Sequence, residues 1–102
     1  MRSLVMAPRS LDERFVALAQ RVIEAGCTAT GLGPEDVWNQ LVADSFSSWR
    51  YAESLRDRLS VPREHLLDVV TGRKRTTTTQ WIALRHETED ELATLLAEVT
   101  AL

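Results

Sequence analysis

The sequence predicts an all-α protein, a compact bundle of five or six helices with a helix-turn-helix at its centre. Three observations lead there. Apolar residues recur at three- and four-residue spacing in most segments from residue 11 onward. Only three prolines and four glycines occur, and they punctuate the periodic segments. The one stretch of strand-like composition, Thr76-Thr77-Thr78-Thr79 followed by Trp81 and Ile82, finds no second strand to pair with.

The first helix opens at Ser10-Leu11-Asp12-Glu13, a capping box in which the serine accepts an orphan N–H and the glutamate reaches back. Leu11, Phe15, Leu18, Ala19, Val22 and Ile23 draw one apolar stripe, and Gly26 is expected to close the helix. Pro34 suits a first helical position, with Glu35 and Asp36 complementing the helix dipole. This second helix carries Val37, Trp38, Leu41, Val42 and Phe46 inward and breaks near Ser47. A third runs from about Ser48 to Leu59 with Trp49, Ala52, Leu55 and Leu59 inward; a continuous helix over residues 34–59 is the competing reading. The next begins at Pro62 and turns Leu66, Val69 and Val70 inward until Gly72. Residues 76–84 are read as a short helix on the spacing of Trp81, Leu84 and Arg85. Thr88-Glu89-Asp90-Glu91 reads as a second capping box, opening a terminal helix over residues 88–102 with Leu92, Leu95, Leu96, Val99 and Leu102 on one stripe.

At 102 residues, 44% of them apolar and 26% charged, the chain is one domain with a sizeable core. Residues 1–9 are expected to be a flexible tail without the apolar stretch of a secretory signal. No apolar run approaches the ~18–20 residues needed to span a bilayer. The lone Cys27 excludes a disulfide framework and a cysteine-rich metal site. The expectation is a soluble, cytoplasmic protein with no membrane partner.

Charge is unevenly spread. Residues 1–49 hold four bases and six acids, residues 50–86 eight bases and four acids, and residues 87–102 five acids and no base. A basic middle between acidic ends suits one local nucleic-acid contact face. Chance variation in short segments is the alternative.

Within that middle, two short helices meet at a tight turn, Ser60-Val61. Leu55 and Leu59 precede the turn, Val61 plugs the corner, Leu66 and Val69 follow, and Gly72-Arg73-Lys74-Arg75 leads out. Residues 49–78 resemble the helix-turn-helix of the lambda-repressor-like family of DNA-binding regulators, the Cro/CI and XRE type. The resemblance implies that residues 62–70 form a recognition helix in the major groove. Arg63, Glu64 and His65 would then face bases, with Leu67 or Asp68 one turn on, while Arg73, Lys74, Arg75 and Thr76 hold the phosphate backbone. It implies a transcriptional regulator, a repressor for instance, working on double-stranded DNA as a homodimer through the N- or C-terminal helix. Two positions depart from the family pattern: Ser60 stands where glycine is usual, and Arg56 where alanine is usual at the helix crossing. Arg56 is expected to extend past the crossing, with its head at solvent or near Glu53. A buried ion pair and a ligand contact are the other possibilities.

Enzymatic chemistry finds no support. His65 and His86 have no companion at metal-ligand spacing, Gly31 and Gly33 lack a phosphate-loop lysine, and Ser45, Ser47 and Ser48 lack a nucleophile elbow. Cys27 reads as a partly buried, unreactive thiol. Trp38, Trp49 and Trp81 read as core rather than base-stacking platforms. No cofactor, metal or catalytic residue is expected. The second hypothesis is a small protein–protein interaction module, such as an antitoxin, adaptor or inhibitor, whose helices form a partner-binding groove.

Overall fold

The computed structural model describes residues 10–70 and 75–102, so the expected tail over residues 1–9 lies outside it. The described residues are helical, with no β-strand among them. Helix α1 spans Leu11–Thr30, α2 Pro34–Ala43, a 3-10 turn Ser48–Tyr51, α3 Ala52–Arg58, α4 Arg63–Leu67, α5 Thr78–Glu87 and α6 Glu89–Thr100. None is long and apolar enough to cross a membrane.

The α1 stripe turns inward as its spacing dictates. Phe15, Leu18, Ala19, Val22 and Ile23 are buried, and α2, α4, α5 and α6 pack around the helix. Each fully buried large apolar side chain of this kind stabilises the fold by ~1.5–3 kcal/mol. All three tryptophans lie in the core, and two of them join distant elements. Trp81 Nε1 donates to the Val22 carbonyl at 3.1 Å, and Trp49 Nε1 to Thr88 Oγ1 at 3.1 Å. Cys27 is buried too, and burial, aided by the charge of Glu24, pushes its thiol pKa up.

Helix ends are where the structure departs from the periodic pattern. Gly26 does not close α1. The helix continues to Thr30, and Gly31, at φ 76°, caps it by donating its N–H to the Cys27 carbonyl. Gly26 instead lies at a helix crossing: a Cβ there would stand 2.5 Å from Val37 Cγ1 and 2.6 Å from Trp81 Cε2. Helix α2 stops at Ala43, four residues before the expected break, because Asp44 leaves helical geometry and its carboxylate accepts the Phe46 N–H at 3.0 Å. Phe46, expected inward, is therefore 94% exposed. The third segment does begin at Ser48, as a 3-10 turn that passes into α3.

Helix α4 covers only residues 63–67 of the expected 62–70. Asp68 turns out of helical geometry at ψ 77°, which leaves Val69 half-buried and Val70 exposed. The capping boxes are also exchanged. Thr77 and Gln80 form a reciprocal one at the start of α5. The Thr88 side chain does not cap α6: the residue's backbone is helical and closes α5, and its hydroxyl donates to the Leu84 carbonyl at 2.8 Å while accepting from Trp49. The neighbouring Glu89 carboxylate takes the Ser48 N–H at 2.8 Å, a bond that holds its pKa below the usual range. Leu92, Leu95 and Val99 of α6 are buried within the chain's own core, whereas Leu102 is 91% exposed.

Candidate nucleic-acid interface

The turn between α3 and α4 is built from short-range bonds. Leu59 N–H donates to Leu55 O, Ser60 N–H to Asp57 O and Val61 N–H to Arg56 O, at 3.0–3.1 Å. Closing the chain this tightly forces Ser60 to φ 56°, a left-handed conformation that small polar residues tolerate better than bulky ones. Val61 then drops into the corner at 5% exposure, between fully buried Leu55 and Leu66.

Arg56 braces the same corner. Its stem crosses the junction, Nε pairs with Glu53 Oε1, and Nη1 donates to the Val61 carbonyl at 3.0 Å. The other Glu53 oxygen accepts from Trp38 Nε1 at 2.7 Å, so one carboxylate ties α2 to α3. With the turn carbonyl held by the guanidinium, Arg56→Ala is expected to cost about 1–2 kcal/mol. The half-exposed ion pair itself contributes little. Urea denaturation of the variant measures this, and an unchanged midpoint would show that water replaces the arginine without loss.

Helix α4 presents one turn to the outside. Pro62 precedes it in extended geometry, and the helix has no side-chain N-cap. Glu64, His65 and Asp68 are exposed, while Leu67 is half-buried against the core. Arg63 stands in the first turn but bends back over α2: Nη2 donates to Asn39 Oδ1 at 2.7 Å and lies 3.8 Å from the Glu35 carboxylate. Its guanidinium is thus engaged within the chain. Arg73 and Lys74 lie outside the described residues. Arg75 is exposed and Thr76 half-buried at the entry to α5.

Two clefts flank this surface. One, of about 420 Å³, lies where the turn meets α1 and is lined by Val16, Val61, Pro62 and His65 among others. The other, of about 700 Å³, lies between α1 and α5, with Arg21, Arg75, Thr76 and Gln80 on its walls. Gln20 lines both. The two clefts therefore meet on α1 at Gln20 and the neighbouring Ala17. Gln20 Nε2 also donates to the carbonyls of His65, at 2.6 Å, and Asp68, at 3.2 Å. Sequence reasoning passed over it, since a polar residue at the rim of an apolar stripe looks the same whether it meets water or another helix.

Charge on this surface is mixed, with Glu64 and Asp68 exposed in and just after α4 and Arg75 exposed at the entry to α5. Such a face can hydrogen-bond donors and acceptors alike, and its cations lie toward α5. No family model matches the chain, and no curated protein or solved structure matches it either.

Proposed function

We propose that the chain binds double-stranded DNA through α3, the turn and α4, working as a lambda-repressor-like helix-turn-helix and hence as a transcriptional regulator. The observation that carries this reading is the corner itself: a left-handed Ser60, a buried Val61, and Leu55 and Leu66 packed beneath, with the first turn of α4 left open to solvent. Five residues of helix extend only ~7.5 Å, so α4 offers one turn to a major groove. On this reading Glu64, His65 and Asp68 contact base edges, and Arg75 and Thr76, with Arg73 and Lys74, contact phosphates. Arg63 reaches a base only by releasing Asn39. Two copies on paired half-sites would have to meet through the polar faces of α1 or α6, because the apolar stripes are already used in the core.

The test is fluorescence-anisotropy titration of duplex DNA at two salt concentrations. Binding is expected to weaken with salt. The triple change Arg73→Ala, Lys74→Ala and Arg75→Ala is expected to weaken it for every duplex and to reduce the log–log salt slope by about three. No binding at low salt, or a triple variant with unchanged affinity and slope, contradicts the proposal.

A second reading, a protein-interaction module, is favoured by one specific observation. Phe46 is 94% exposed on a well-braced turn: Asp44 holds its N–H, Arg50 Nη1 donates to the Ser45 carbonyl at 2.7 Å, and Ser47 is buried. Arg50 also stacks on half-exposed Tyr51, its guanidinium 4.6 Å from the ring centroid. Exposed aromatic and arginine side chains on one braced turn are the composition of an interface anchor. Under the DNA reading, Phe46→Ser should leave duplex affinity within about twofold, well under the 1.4 kcal/mol that a tenfold change represents. A large loss would place this turn on the DNA face. Retention of a protein partner by the wild type but not by Phe46→Ser, without DNA binding, would select the second reading.

A further inference from the structure

We infer that Gln20 is a positioning residue, whose carboxamide sets the pose of α4 and of Asp68 after it for reading DNA; the inference rests on the DNA reading proposed above. A five-residue helix is marginal by itself, because nucleating one turn fixes several residues for one bond. Helix α4 also lacks a side-chain cap at its start. Its last four carbonyls have no partner within the helix. Gln20 supplies what is missing from outside. It stands on α1, the 20-residue helix around which the core packs. One Nε2 donates to the carbonyl of His65 inside α4 and to that of Asp68 just beyond it, at 2.6 and 3.2 Å. Both partners accept only, so the amide nitrogen must face them, with one hydrogen for each. The two carbonyls bracket the exit of α4, where Asp68 leaves helical geometry. His65 and Asp68, two of the three side chains proposed to meet bases, belong to the residues so held.

Three variants separate the donor from mere bulk. Gln20→Ala removes the donor, Gln20→Glu turns a carboxylate toward two carbonyls, and Gln20→Lys restores a donor. Each is compared with the wild type by amide hydrogen exchange and by affinity for a duplex that the wild-type chain selects from a random-sequence pool. In Gln20→Ala and Gln20→Glu, exchange should quicken over residues 64–70 while α1 and α6 keep wild-type rates. Affinity for the selected duplex should fall about tenfold with the salt slope unchanged, as expected when base readout is lost and phosphate contacts remain. Gln20→Lys should recover most of both. Wild-type exchange over residues 64–70, or wild-type discrimination between selected and scrambled duplexes, in the alanine and glutamate variants overturns the inference. A wild-type chain that selects no duplex overturns the DNA reading and the positioning role with it, whereas quickened exchange would still assign the brace on α4 to Gln20.

Discussion

Gly26→Ala should lower the melting temperature by about 10 °C, against the direction that helix propensity alone predicts. In an open helix the change gains ~1 kcal/mol, since alanine is the better helix former. Here the added methyl would stand 2.5 Å from Val37 Cγ1 and 2.6 and 2.8 Å from Trp81 Cε2 and Cζ2. Neither neighbour gives way easily. Val37 is fully buried, and the Trp81 ring is fixed by its bond to the Val22 carbonyl and covered by the Arg85 guanidinium 4.4 Å from the ring centroid. Overpacking of this kind costs ~1–3 kcal/mol, and slipping the indole would break its hydrogen bond as well. A net loss of about 2 kcal/mol corresponds to roughly 10 °C for a domain of this size. A melting temperature at or above the wild-type value would mean that α1 and α5 are not so closely packed at this crossing.

Trp49→Ala should be the more damaging change, costing about 3–5 kcal/mol. The side chain is fully buried where the 3-10 turn, α3 and α6 converge. Its removal leaves a cavity and takes the Nε1 donor away from Thr88 Oγ1. That hydroxyl also donates to the Leu84 carbonyl, so Trp49 buttresses the bend between α5 and α6. Trp49→Phe separates the two effects. It keeps most of the apolar volume but loses the donor, and about 1–2 kcal/mol is expected. Urea denaturation of both variants gives the values. Equal losses would mean that the hydrogen bond, not the volume, holds the junction.

The difference between Gly26 and Gly31 shows how far residue patterning reaches. Both glycines follow the α1 stripe, and either can end a helix; the choice depends on Trp81, 55 positions beyond Gly26 in sequence and packed against it only in the fold. Local signals with local causes were legible. Pro34 sits at the start of α2, the Phe15–Ile23 stripe is buried, and the break before Ser48 is real. Signals of the same form failed where a distant partner claimed the side chain. Thr88 and Glu91 have the spacing of a capping box, but Trp49 and Leu84 engage the Thr88 hydroxyl. The working box, Thr77 with Gln80, was hidden in a run of four threonines. Phe46 matched the α2 stripe, and only the Asp44 carboxylate turning the chain early removes it. The same limit governs the candidate interface. Residues 63–65 were legible as the start of a short helix, but the bond of Arg63 to Asn39 and the hold of Gln20 on α4 are contacts between elements that spacing along one helix does not encode.

The most direct test of the DNA reading is amide chemical-shift mapping of the isotope-labelled chain on addition of duplex DNA at low salt. If α4 is presented to the groove and the entry to α5 meets phosphate, the shifts should concentrate at residues 60–68 and 75–80. The braced turn around Phe46, which lies beyond the far end of α2 from the Arg63–Glu35 contact, should stay unchanged. Shifts confined to residues 44–51, or no shifts while DNA is in excess, would contradict it.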